Sequence, residues 1–146
     1  MTQEDKELLL KDLSARLPYH VRCKIWIKNG TTEEGPLDLE HNYADVLLNA
    51  FYYNDIKDIK PYLRPMSSMT AEELYEVQEI LGKGVEIRDV FIFIIDSSIN
   101  SFSYFELQAV FDWLNAHHFD YRGLIEKGLA IAVTEENNPY KNNYYE

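Results

Sequence analysis

The sequence predicts a single α+β domain, a mainly antiparallel sheet of about four to five strands with helices packed on one face. Three observations support this class. The chain has 146 residues, 46% of them apolar, which suits one domain with a real core. After an opening helix, hairpin signals come before two long capped amphipathic helices. We expect the domain to span 1–134 and the polar, Asn- and Tyr-rich segment 135–146 to be a mobile tail.

The first element is a helix over residues 2–17. Leu9 and Leu13 recur at helical spacing and form part of an apolar stripe. Thr2 is a suitable N-terminal cap. Pro18 ends the helix because the residue before a proline avoids the α region.

Residues 20–28 alternate between apolar and polar types, which predicts a half-buried strand. Asn29-Gly30 follows and is a favoured hairpin turn. The partner strand is expected within 31–39, and Pro36 places it at an edge of the sheet.

The middle of the chain is predicted to hold one ambiguous element and one connector. Residues 44–53 favour a strand, with a short helix as a competitor. Residues 54–69 contain Pro61 and Pro65 and are interpreted as a stiff connector that crosses the sheet.

A helix is predicted to begin at Thr70 and to end near Gly82. Thr70 and Glu73 form a capping box, and Met69 with Leu74 forms a hydrophobic staple. The apolar run within 85–96 then predicts a strand covered on both faces, which we expect to be the central one.

A second capped helix is predicted from Ser103, with Glu106 completing its capping box. Its last turn holds His117 and His118, where a partly protonated imidazole suits the helix dipole. Asp120 is predicted to cap a short final helix that ends near Lys127, and 129–133 favour a last short strand.

The formal net charge of −11 is unevenly distributed along the chain. Residues 1–28 carry a net charge of +2, so the rest carries −13. This argues against a general nucleic-acid binder, because phosphate contacts need clustered Lys and Arg. Solubility is the plain interpretation, and an acidic face for a basic partner is the alternative.

The single cysteine excludes a disulfide framework and a four-cysteine zinc site. Cys23 lies in the predicted first strand and is expected to be a buried, reduced thiol. No run is long enough for a signal peptide or a membrane span, so we expect a cytoplasmic protein without a membrane partner.

Two regions carry candidate site residues. One is the polar cluster after the last long helix, with His117, His118, Asp120 and Arg122. Its side chains suit binding or acid–base chemistry. Adjacent histidines on a helix point about 100° apart, so a shared metal ion is not expected, and the alternative interpretation is a structural corner.

The predicted connector supplies the other region. Tyr62 and Arg64 are candidates to meet a partner, or else Tyr62 or Leu63 packs inward and Arg64 pairs with an acid. Trp26 is also a candidate, because it lies on the charged face of the first strand. That face is expected either to be covered by a helix or to be a contact surface.

Three segments together resemble a family of small uncharacterised proteins from gut Bacteroidetes, often seen near prophage-like or mobile genes. They are LLLKDLSARLPY, IKDIKPYLRPMSSMT and DWLNAHHFDYRGLIEKGLA. The resemblance implies a bacterial intracellular protein with a link to mobile elements, and it implies no catalytic residues.

The sequence therefore predicts a small, non-enzymatic protein-interaction module with an unidentified protein partner. No catalytic constellation, metal site or cofactor motif is present in the sequence. An acidic inhibitor that mimics nucleic acid and a small His/Asp-dependent enzyme are the alternatives. Homo-oligomer formation is left open.

Overall fold

The computed structural model describes residues 2–37, 56–81 and 104–141. These ranges contain three α-helices and four strands. The helices are α1 (Gln3–Arg16), α2 (Ala71–Leu81) and α3 (Tyr104–Ala116). The strands are β1 (Arg22–Ile27), β2 (Thr32–Pro36), β3 (Ile56–Leu63) and β4 (Ile131–Ala132).

The sheet has the order β2-β1-β3-β4. β1 pairs antiparallel with both neighbours, and Ile25 lies between Glu33 of β2 and Ile59 of β3. β4 pairs parallel with β3. The α+β class with a mainly antiparallel sheet is thus confirmed. The predicted hairpin and the edge position of Pro36 are confirmed as well.

The first apolar cluster joins α1 to one face of the sheet. α1 begins with a capping box, in which Thr2 and Asp5 exchange side-chain bonds to backbone N–H groups at 3.1 and 3.3 Å. Its apolar stripe then packs on the inward side chains of β1 and β3. The cluster includes Leu9, Leu13, Val21, Cys23, Ile25, Ile59 and Leu63.

The second apolar cluster joins α2 to α3. The predicted capping box of α2 is present, because Glu73 N–H donates to Thr70 Oγ1 at 3.2 Å and Thr70 N–H donates to Glu73 Oε1 at 3.0 Å. The cluster consists of apolar residues at helical spacing on α2 and α3, together with one residue just before α2 and one just after α3. Its buried members are Met69, Val77, Leu81, Val110, Leu114 and Phe119.

The interpretation of 54–69 as a connector is wrong for half of its length, since 56–63 form β3. The two prolines favoured a stiff crossing, and a proline inside a sheet is usually confined to an edge strand or a bulge. However, Leu63 accepts a hydrogen bond from Val133 N–H at 2.8 Å, so residues 61 and 63 direct their main-chain groups away from β1. On that side β4 pairs with Tyr62 and Leu63 alone, so the ring nitrogen of Pro61 removes no ladder bond.

The predicted short helix after Asp120 is also wrong, because residues 124–128 form a turn. Gly123 has φ +76°, in the left-handed region, and this conformation interrupts a right-handed helix at its start. The predicted strands at 44–53 and 85–96, and the capping box at Ser103, lie outside the described residues.

Candidate functional site

The polar cluster forms a corner at the end of α3. His118 adopts a left-handed backbone conformation with φ 63°, and its N–H donates to Asn115 O at 3.1 Å. Phe119 N–H donates to Leu114 O at 3.0 Å. These two bonds are those of a Schellman motif, in which glycine is the usual left-handed residue. The chain thus turns sharply on a histidine.

The end of β3 is bonded to this corner. Arg64 N–H donates to His118 O at 2.7 Å, and Asp120 N–H donates to Arg64 O at 2.9 Å. The guanidinium of Arg64 lies 4.1 Å above the Phe119 ring. It also forms a bidentate pair with Glu73, at 2.7 and 2.8 Å. The two candidate regions of the sequence therefore meet in one place.

A cavity of about 300 Å³ opens here, and we call it the His118 cavity. Burial, followed by the nearby charges of Arg16 and His117, lowers the pKa of His118 to about 3. The imidazole is therefore neutral at neutral pH, contrary to the expected partial protonation. It stacks on Tyr140 with ring centroids 3.9 Å apart. The lining residues are Arg64, Ala116, His117, His118, Asn138 and Tyr140.

His117 faces α2. Its Nδ1 lies 2.8 Å from Trp113 O, so this nitrogen carries a proton, since a carbonyl oxygen only accepts. Its Nε2 lies 3.9 Å from Glu76 Oε2, and the same carboxylate oxygen accepts from Trp113 Nε1 at 2.9 Å. His117 is thus held between two helices.

A buried charge network lies behind the corner. Asp12 accepts from Arg16 Nε at 2.8 Å and Nη2 at 3.1 Å, and from Arg122 Nη1 at 2.8 Å. Arg16 Nη2 also donates to Phe119 O at 2.6 Å. The ring of Tyr121 lies 5.3 Å from Arg16 and 4.6 Å from Arg122. Two cations therefore share one fully buried carboxylate.

Both carboxylate oxygens of Asp120 stabilise the backbone of the corner. Its two oxygens accept from Leu124 N–H and Ile125 N–H, both at 2.9 Å. Asp120 and Arg122 line a second cavity of about 720 Å³, next to Pro65, Met66, Ser67, Tyr121 and Ile125. These two predicted residues thus lie together but outside the His118 cavity.

Tyr62 and Trp26 are on the sheet face turned away from α1, as strand alternation requires. Tyr62 donates to Glu34 at 2.6 Å, and burial together with this bond raises its pKa to about 12. Trp26 is half-buried, with the ammonium groups of Lys24 and Lys60 at 5.4 and 5.8 Å from its ring. Neither side chain lines the His118 cavity.

Sequence reasoning missed the outward surface of α2. Glu72, Tyr75, Glu76 and Glu79 are all exposed and follow one another at helical spacing, and we call this surface the α2 face. Tyr75 is 60% exposed and is the exposed large hydrophobic side chain within the described ranges. Tyr75 does not belong to the apolar stripe of α2, and this position in the sequence could have predicted its exposure.

Sequence reasoning also missed the role of Tyr140, which lies in the segment expected to be a mobile tail. Its hydroxyl accepts from Arg22 N–H at 3.0 Å and donates to Tyr62 O at 2.8 Å. The phenol thereby continues the β1–β3 ladder where the strands separate. The mobility of the tail stays a prediction.

Within the part of the chain that is described, no three His, Cys, Asp or Glu side chains are arranged to hold a metal ion. No helix found in the same ranges has the length and apolar content to cross a membrane. No family model matches this chain. No curated protein and no solved structure matches it either. The resemblance drawn from the three sequence segments stays a prediction.

Proposed function

We propose that this protein is a non-enzymatic protein-interaction module that docks a basic partner on the α2 face. The observation that carries the proposal is the exposure of Tyr75 at the centre of that face. Tyrosine is enriched among the residues that dominate binding energy at protein interfaces. Its ring provides a large contact area, and its hydroxyl group remains available for a hydrogen bond.

The charge of α2 supports a basic partner. The helix contains four glutamates and no lysine or arginine. Glu73 is turned inward to Arg64, and Glu76 accepts a hydrogen bond from Trp113 of α3, which leaves Glu72 and Glu79 beside Tyr75. The whole chain carries −11, so a basic partner is attracted at long range and aligned at the α2 face.

The contacts of the candidate acid–base residues support a role without catalysis. Both carboxylate oxygens of Asp120 accept hydrogen bonds from backbone amides. His117 donates to a backbone carbonyl. In this proposal the setting is a bacterial cell and a mobile element, as the resemblance implies.

The test is site-specific photocrosslinking in the native host. A photoreactive p-benzoyl-phenylalanine replaces Tyr75, and the same residue at Lys127, an exposed turn position, is the positional control. We expect one discrete adduct from position 75 and none of the same mass from position 127. Adducts of equal yield from both positions, or none from position 75, overturn the proposal.

Two double variants with equal charge change then test the site. Glu72→Gln with Glu79→Gln alters the α2 face, whereas Glu126→Gln with Glu135→Gln removes the same charge from exposed turns. Affinity for the captured partner should fall about fivefold or more only in the first. Tyr75→Ala should weaken it roughly 30-fold, as an interface anchor does. Equal losses in both double variants refute a localised site.

A further inference from the structure

The His118 cavity has the size and lining of a small-ligand site. Its volume of about 300 Å³ is at the lower end of the range of protein ligand pockets. One guanidinium, two imidazoles, one amide and one phenol line it. The cavity is therefore polar and rich in nitrogen donors, although the chain as a whole is strongly acidic.

His118 is held there against a backbone preference. A non-glycine residue in the left-handed region costs about 1 kcal/mol or more, and glycine avoids this cost. Its ring is nonetheless fixed by stacking on Tyr140. Nδ1 is buried without a hydrogen-bond partner, so the ring edge that lines the cavity is not the one carrying Nδ1.

The surroundings of Nδ1 favour a proton on the opposite nitrogen. Arg16 Nη1 is the other buried side-chain atom without a partner in the described part of the chain. The same guanidinium donates to the carbonyl of Phe119, the residue that follows His118. Arg16 acts on His118 as a nearby positive charge, which favours a lone pair on the buried Nδ1 and hence the N–H on Nε2.

Basic side chains surround His118. Burial and four basic groups keep its pKa low, namely Arg16 of α1, His117, Arg64 at the end of β3 and His20. The compensating carboxylates are Asp12, shared by Arg16 and Arg122, Glu73 on Arg64, and Glu76 near His117. Asp12 balances two cations with one charge, so the positive potential persists at the imidazole.

We propose that the His118 cavity binds a small oxyanion, such as a carboxylate, between His118 Nε2–H and the guanidinium of Arg64. Arg64 uses three of its N–H groups on Glu73 and Ser68 O. A guanidinium has five, so Nε–H and one Nη1–H are left for a ligand. Charge-assisted bonds of this kind are the strong ones in protein sites.

The test is an NMR titration of the full chain labelled with ¹⁵N on its imidazoles. Sodium acetate and inorganic phosphate are the two probes, with sodium chloride at matched ionic strength as reference. Saturable shifts of the His118 signals by acetate identify a planar carboxylate site, and saturable shifts by phosphate identify a tetrahedral oxyanion site. Either supports the proposal. Equal shifts with sodium chloride, or no saturable shift with either probe, overturn it.

A pair of matched variants assigns the binding to the cavity. His118→Gly suits the left-handed backbone and removes the imidazole, and backbone-amide shifts near the cavity report binding. Affinity for the oxyanion should fall at least tenfold. Lys127→Ala is the control, because Lys127 is exposed, does not line the cavity and is not among the charged groups near His118. It should keep the affinity within about twofold, and equal losses in both variants overturn the proposal. Oxyanion binding in the His118 cavity does not depend on the α2 face, which photocrosslinking from position 75 tests independently.

Discussion

Removal of the Asp12 carboxylate is expected to be one of the most damaging single changes in this protein. Asp12 and Arg16 both have 0% side-chain exposure, and Asp12 accepts three hydrogen bonds, at 2.8, 3.1 and 2.8 Å. In Asp12→Ala, Arg16 stays buried and keeps only its bond to Phe119 O, at 2.6 Å. When one member of a buried ion pair is left without its partner, the free energy of unfolding typically decreases by about 3–5 kcal/mol.

Urea unfolding measures this loss directly. The midpoint should fall without a change in the denaturant slope, because the surface exposed on unfolding stays similar. In a thermal scan the same loss corresponds to a decrease of roughly 10 °C or more for a domain of this size. Glu126→Ala is the control, since an exposed carboxylate should change the free energy of unfolding by no more than about 0.5 kcal/mol.

Two further variants separate charge from packing. Asp12→Asn keeps the side-chain size and removes the charge, so it should lose most of the same free energy. Asp12→Leu combined with Arg16→Met replaces the pair by apolar groups and should be less destabilised than Asp12→Ala. A loss below about 1 kcal/mol in Asp12→Ala refutes the reasoning, because Arg16 then finds water or another partner at little cost.

Three further predictions concern individual side chains. Since the pKa of folded His118 is about 3 and the unfolded value is about 6.5, the unfolded chain binds the extra proton first. The free energy of unfolding measured in urea should therefore be unaffected by His118 above about pH 6.5 and should decrease as the pH drops toward 3. His118→Gly should make this decrease smaller, and a variant with the same decrease contradicts the prediction. Tyr140→Phe leaves Arg22 N–H and Tyr62 O without their partner and should cost about 1–3 kcal/mol in urea unfolding, and no loss means that water replaces the hydroxyl. Burial raises the pKa of Cys23, so Ellman's reagent should react with it only after unfolding, and rapid reaction of the folded protein refutes its burial.

The local elements were predictable because their signals lie within a few residues of one another. The N-terminal cap of α1 and the capping box of α2 depend on residues only three positions apart, and the hairpin at Gly30 needs only a two-residue turn. The alternative in which Tyr62 or Leu63 packs inward and Arg64 pairs with an acid also agrees with the structure, where Leu63 lies in the core and Arg64 pairs with Glu73. The same segment was nevertheless wrongly interpreted as a connector. Pro61 is tolerated in a strand because its nitrogen faces away from β1, and this direction depends on neighbouring strands that the local sequence does not reveal.

The sequence by itself determined the α+β class, the helix caps, the hairpin and the buried thiol, since each depends on local propensity or on apolar periodicity. Only the tertiary structure decided which polar residues meet. Asp12 and Arg122 are 110 positions apart, and Tyr140 bonds Tyr62 from 78 positions away. No periodicity encodes such pairs, because they arise when separately formed elements pack. The His118 cavity and the α2 face are likewise products of that packing.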